Sequence, residues 1–304
     1  MLRQVILAAS ANHRVKALVA GAPLSRSVVR RFVAGEQTDD AVRATRALQA
    51  AGLVVSLDHL GEDTRDVVHA QATVRAYVEL LERLSADGLT AGGRAEVSVK
   101  LTAVGQVIDP ALALASARTI CAAARAAGTT VTLDMEDHTT TDATLEALEE
   151  IRTDFPTTGA VLQAYLHRTE DDCRALATPG SRIRLCKGAY REPTTVAYQG
   201  AAEVDASYAR CLAVLMDGPG YPMVATHDPK LIALAAGHGR AAGSFEFQLL
   251  YGIRPTEQRR LAAQGHTVRV YVPYGDQWYG YLMRRLAERP ANLTFFLRAL
   301  ASRS

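Results

Sequence analysis

The sequence predicts an α/β fold, a (βα)8 barrel preceded by a helical arm, on three observations. Short apolar runs rich in β-branched residues alternate with longer Ala/Leu/Arg segments of helical period, eight such runs fit between residue 53 and residue 304, and each run closes on polar, chemistry-bearing residues. Strands that alternate with helices imply parallel β-α-β units, and eight of them match the count and length of a TIM barrel.

In chain order, residues 1–51 contain no strand pattern. The stretch SRSVVRRFVAGEQTDDAVRATRALQAAG reads as a helix, a turn around Gly35 and a second helix capped by Thr38 or Asp39. This gives an N-terminal arm (1–51) ahead of a barrel domain (52–304). The expected strands lie in LVVSLDHLGED (53–63), AEVSVKLTAVG (95–105), TTVTLDMEDH (129–138) and GAVLQAYLHR (159–168). The second half follows in SRIRLCKGAY (181–190), YPMVATHD (221–228), GSFEFQLLYG (243–252) and TVRVYVPYG (267–275). Segments such as ALALASARTICAAARAAG between them are helical.

Active sites of such barrels sit at the carboxyl ends of the strands. There the sequence places Asp58 and His59, Lys100, Asp134 with Glu136 and Asp137, Gln163 and Tyr165, then Arg184, Lys187 and Tyr190, Thr226 and His227, Gln248, and Tyr271 with Tyr274. Taken singly, each could be a helix cap or a structural ion pair. Their gathering on one rim is the functional signal. After the last strand, YLMRRLAERP sets Tyr281, Arg284, Arg285 and Glu288 at i, i+3, i+4 and i+7 of a helix, opposite an apolar side of Trp278, Tyr279, Leu282, Met283 and Leu286. That polar face is either solvated or holds an anion.

Composition removes several classes. With 34 basic against 32 acidic residues and no long basic run, a nucleic-acid partner is not expected. The four cysteines include no C-x-x-C, as in a reduced, cytoplasmic protein. The apolar run in MLRQVILAAS is too short for a signal peptide, and no stretch reaches the roughly 18 apolar residues of a membrane span, so any membrane contact would be peripheral. Two enzyme alternatives stay open on residues alone. His59, His138, His167 and His227 with Asp134 could serve a metal-dependent hydrolase, although no H-x-H or H-E-x-x-H occurs and no metal is expected. Lys100 or Lys187 could act as a Schiff-base nucleophile.

The segments RRFVAG, LDHLGE, VSVKLTAVG, LDMED, VLQAYL, IRLCKGAY, VDASY, ATHD, FEFQLLYG, VRVYVPYG and YLMRRLAE occur in order over about residues 25 to 300, and together they resemble the proline dehydrogenase family. The resemblance implies a distorted barrel, FAD held non-covalently at the strand ends, oxidation of L-proline to Δ1-pyrroline-5-carboxylate as the first step of proline catabolism to glutamate, and a membrane quinone as electron acceptor. It also implies a cytoplasmic enzyme that touches the inner face of the membrane peripherally. No G-x-G-x-x-G fingerprint follows any strand, in keeping with a flavin held by a barrel.

By resemblance, Arg284 and Arg285 clamp the substrate carboxylate, while Tyr271, Tyr281, Leu250, Ala189 and Tyr190 surround its ring. Lys100 and Asp134 match positions beside the substrate, and Arg184 matches the donor near flavin N5, which makes these three the catalytic set. The cofactor contacts it implies are Asp134, Met135, Gln163, Arg184, Lys187, Gly188, Ala189, Tyr190, Ala225, Thr226, His227, Gln248 and Glu288. Two departures stand out: Asp228 ends a segment that reads ATHN in relatives, and Ala201 falls where relatives carry a lysine near the flavin phosphates. Weaker FAD retention is the expected consequence of the missing ammonium at Ala201.

Overall fold

The computed structural model describes residues 29–288, with side chains described as far as Met283. The first 28 residues of the expected arm lie outside the described residues. Helix α1 (Thr38–Ala50) leads into β1 (Val54–His59), α2 (Val67–Ala86), β2 (Ala95–Val99), α3 (Pro110–Ala126), β3 (Val131–Leu133), α4 (Thr141–Arg152) and β4 (Gly159–Gln163). Then come α5 (Thr169–Leu176), β5 (Arg182–Cys186), α6 (Ala201–Asp217), β6 (Tyr221–Ala225), α7 (Pro229–Ala236), β7 (Glu246–Leu250), α8 (Pro255–Ala263), β8 (Thr267–Tyr274) and α9 (Trp278–Glu288). The strands pair in parallel in sequence order and close, β8 on β1, into one eight-stranded barrel. Every strand falls inside the run that predicts it.

Local chemistry explains where the helices begin. Asp66, Asp109 and Asp228 cap α2, α3 and α7 by accepting the amide N–H of Val68, Ala111 and Lys230 at 2.7, 3.0 and 3.0 Å, and proline follows the cap of α3 and α7. The start of α1 corrects an expectation. Thr38 and Asp39 already lie inside the first turn, and the capping group is Asp40, which accepts the amides of Glu36 and Gln37 at 3.1 and 3.2 Å. Gly35 must stay bare beside it, because a Cβ there would stand 2.2 Å from the Asp40 carboxylate.

The distortion of the barrel follows from what α1 covers. Its Ala41, Val42 and Ala44 enter the main core, and the helix packs on β1, β8 and α2, the place a helix after β8 would otherwise take. Helix α9 instead buries Trp278, Tyr279, Tyr281, Leu282 and Met283 against Phe32, Val33, Leu60, Ile253 and Leu250. Leu250 ends β7 and Leu60 follows β1, so α9 lies at the carboxyl-terminal mouth. The 29–35 segment is strapped beside it: Ala34 donates to the Pro273 carbonyl at 2.9 Å and Gly275 to that of Gly35 at 3.0 Å. A Cβ on Gly252, whose φ is +70°, would come within 1.7 Å of the Arg31 carbonyl oxygen.

Candidate active site

Side chains at alternate strand positions point into the barrel and stack in layers. Where many such barrels carry branched aliphatics, this one carries charge. In the lowest layer Glu96 takes Arg182 at 2.6 Å and Arg269 at 3.7 Å, and Arg269 pairs with Glu246 at 2.7 Å. Burial raises the Glu96 pKa, but the three guanidiniums of Arg182, Arg269 and Arg184 outweigh it and hold the carboxyl at about 2. Above this, Arg184 donates from Nε to Gln248 Oε1 at 2.5 Å, from Nη1 to Ser98 Oγ at 2.9 Å and from Nη2 to Ser56 Oγ at 3.3 Å. These contacts join β5 to β1, β2 and β7 across the interior.

The third layer faces the mouth. Asp134 accepts Arg184 Nη1 at 2.6 Å and Ser98 Oγ at 2.7 Å on one oxygen, and the Tyr271 hydroxyl at 2.6 Å on the other. The Lys100 ammonium lies 2.8 Å from Asp58 and 3.7 Å from Asp134. Burial lowers the Lys100 pKa, yet the Asp58 and Asp134 carboxylates outweigh it and push the pKa well above the ordinary lysine value. A nucleophilic amine must be neutral, so the pairing argues against a Schiff base at Lys100. The Arg184 guanidinium also stacks 5.3 Å from the Tyr271 ring centroid.

Beside this layer is Glu136, buried and bonded to the Thr102 hydroxyl at 2.6 Å and its amide at 3.2 Å. Burial pushes its carboxyl from 4.5 up to about 7. A raised carboxyl favours the fold in its protonated form, so that contribution is full below pH 4.5 and is lost as pH climbs through about 7. Glu136→Gln should therefore change stability little at pH 5 and gain over the parent by up to about 3 kcal/mol at pH 8. Thermal melts of both proteins across that range check it; parallel Tm curves would contradict the assignment.

The rim holds the remaining candidates. The Gln163 amide donates to the Glu136 carbonyl at 2.8 Å, and Met135, between Asp134 and Glu136 in the chain, is buried. Lys187, Gly188, Ala189 and Tyr190 form the loop after β5, with Ala189 exposed. The Lys187 ammonium is shared by Asp205 and Asp228, the latter at 2.9 Å. Gly188 has φ +107°, and a Cβ on it would sit 2.4 Å from the Tyr165 ring, which is a sufficient reason for glycine there. Ala225, Thr226 and His227 lead from β6 toward α7, and Leu250 donates its amide to His227 Nε2 at 3.3 Å. Gln248 lies one layer down, its amide N–H given to Glu246 at 2.6 Å. Ala201 is the first residue of α6 and is exposed. Arg284, Arg285 and Glu288 are on α9, but their side chains lie outside the described ones.

The histidines that could tempt a metal reading go to separate places. His59 packs edge-on against Tyr77 and Tyr274, His138 pairs with Glu192, and His167 packs edge-on against Tyr198. Among the described residues no three His, Cys, Asp or Glu side chains group as a metal site, and no helix is long and apolar enough to cross a membrane.

Residues 41–298 match the sequence profile described as Proline dehydrogenase. The chain belongs to the proline dehydrogenase family. It is 37% identical to Proline dehydrogenase 1 of Bacillus subtilis over 304 residues, 99% of each chain. It is 40% identical to Proline dehydrogenase of Deinococcus radiodurans over 283 residues, 90% of each. Among solved structures it resembles proline utilization A from Bdellovibrio bacteriovorus, inactivated by N-propargylglycine, with a TM-score of 0.79 and 27% identity over 87% of this chain. The match spans 33% of that longer chain. Within the family reading, the sequence missed partners more than principals: Ser56, Ser98 and Glu246 hold the candidates in place. The signal that could have found them is the two-residue period, which sends Ser56 and Asp58 to the same side of β1 as Glu96 and Ser98 do on β2.

Proposed function

We propose that this chain oxidises L-proline to Δ1-pyrroline-5-carboxylate with FAD as cofactor, the first step of proline catabolism to glutamate. The observation that carries the reading is the network of Lys100, Asp58, Asp134, Arg184 and Tyr271 at the barrel mouth of a family member. When bound, FAD supplies the acceptor, at N5, for the hydride leaving C5 of proline, and a membrane quinone takes the electrons onward.

The donor set at the rim fits a flavin. Arg184 and Gln163 on adjoining strands offer N–H groups for the polar edge of an isoalloxazine, Met135 and Leu250 offer apolar surface, and Lys187 beside Thr226 and His227 offers a cation near the start of α7 for phosphate. The Asp205 and Asp228 carboxylates already share Lys187, and Ala201 adds no charge, so the outer half of the cofactor has fewer free cationic partners. Ala189, Tyr190, Ala225, Gly188, Gln248 and Glu288 complete the proposed cofactor contacts.

For the substrate, Arg284 and Arg285 grip the carboxylate, and Tyr271, Tyr281, Leu250, Ala189 and Tyr190 enclose the ring. Electrostatics argue against Asp134 as a proton acceptor: burial raises its pKa, but Arg184 and Lys100 outweigh this and keep it below the ordinary aspartate value. Its work is to hold the Tyr271 hydroxyl and the Arg184 plane, while Lys100 adds positive potential beside the bound acid group. The catalytic unit is the 52–304 barrel, the 1–51 arm serving it through α1. The enzyme works in the cytoplasm and reaches its quinone by peripheral contact with the membrane. Purified protein should show twin flavin bands that bleach anaerobically on adding L-proline; a colourless protein, or bands indifferent to proline, would overturn the reading.

A further inference from the structure

We infer that Glu246, two layers below the reacting surface, is a positioning residue for Arg184 that acts through the side-chain amide of Gln248. The inference rests on the proposed function, because its consequence is read at the bound flavin. A glutamine amide is two-faced, an acceptor on one side and a donor on the other. Gln248 Oε1 accepts Arg184 Nε at 2.5 Å, and Gln248 Nε2 donates to Glu246 Oε1 at 2.6 Å. Turned over, the amide would set N–H against N–H at Arg184 and oxygen against carboxylate at Glu246, two unpaired contacts in a buried, low-dielectric interior.

Glu246 can enforce this choice because it is itself fixed. It is fully buried, pairs with Arg269 through Nε at 2.7 Å and Nη2 at 3.1 Å, and accepts the Tyr221 hydroxyl at 3.4 Å. Arg269 is tied in turn to the Val55 carbonyl at 2.8 Å, so the lower layer is locked to the backbone of β1. With Nε held by Gln248 and Nη1 held by Asp134 and Ser98, the guanidinium plane of Arg184 has one orientation. The lower ionic layer thus reaches Arg184 through the Gln248 amide, beside the longer Glu96–Arg184 pair at 3.9 Å, and its role extends beyond stabilising the barrel.

The test compares Glu246→Gln, Gln248→Met and the double variant as holoenzymes. The measurements are the visible spectrum and midpoint potential of the flavin, the limiting rate of anaerobic reduction by proline, the proline KM and the melting temperature. Each single variant should move spectrum and potential in the same direction and slow reduction about tenfold, the scale of one charge-assisted hydrogen bond, with KM changed less than about twofold. The double variant should then match Gln248→Met alone. A Glu246→Gln protein that melts earlier with spectrum and potential unmoved has lost only a structural pair, and that overturns the inference. So does additivity in the double variant. Gln248→Met leaves the Glu246–Arg269 pair intact, so should Glu246→Gln fail to fold, an unmoved flavin in Gln248→Met is equally decisive. A parent protein without flavin refutes the proposed function; a parent that reduces with proline while the variants match it refutes this inference alone.

Discussion

Asp134→Asn is expected to reduce kcat/KM for proline by about 10²- to 10³-fold and to destabilise the protein by about 3 kcal/mol at neutral pH. The carboxylate joins four groups: Arg184 at 2.6 Å, Ser98 at 2.7 Å, the Tyr271 hydroxyl at 2.6 Å and Lys100 at 3.7 Å. An amide has one acceptor oxygen and no charge, so it leaves Lys100 to Asp58 and Arg184 to Glu96, 3.9 Å away, and lets the Tyr271 ring and the Arg184 plane drift. Removing one member of a buried pair costs about 3–5 kcal/mol because the other stays buried without its counter-charge. Because the folded-state pKa is depressed, the stabilisation is present above the unfolded value near 3.8 and is lost as pH falls through the folded value. The Tm gap between parent and variant should thus be full from pH 6 to 8 and close below about pH 4. Kinetics and pH-resolved melts check both halves; a gap that is flat with pH would rule out the ionised pair.

Arg284→Met should raise the proline KM by about 10²-fold or more while the flavin absorbance stays as in the parent. Methionine preserves helix propensity and most of the apolar stem, so the change isolates the guanidinium. A charge-assisted contact to a desolvated carboxylate is worth about 2–5 kcal/mol on truncation of one partner, which sets the scale of the KM change. The effect should fall on KM more than on kcat, since the acid group is bound in both ground and transition states. Unaltered proline kinetics would dismiss the clamp, and loss of flavin together with proline binding would instead place Arg284 in the architecture of α9.

The strands were legible because a strand buried on both faces must be a short run of apolar and β-branched residues, whatever it packs against. VVSLDH, AEVSV and TVRVYVPY each show this and each became a strand. The helix caps at Asp66, Asp109 and Asp228 were equally local, being one side chain answering the amide two residues on. The start of α1 was misread because Thr38, Asp39 and Asp40 all have capping chemistry, and only the approach of the chain at Gly35 selects Asp40. The same limit applied inside the barrel. Lys100 and Asp134 stood out at strand ends, yet that Lys100 leans on Asp58 more closely than on Asp134 depends on the stagger of β1 against β2.

The sequence by itself determined the eight alternating units, the rim on which chemistry collects and, through eleven ordered segments, the family. Tertiary structure alone decided that α1 occupies the flank beside β8 and β1, that α9 lies at the mouth, and that a neutralised stack of carboxylates and guanidiniums fills the barrel. The reason is range: strand and cap formation depend on neighbours a few residues away, whereas pairing buried charges such as Arg184 with Ser56 or Arg269 with Val55 requires the barrel to close over separations of 128 and 214 residues.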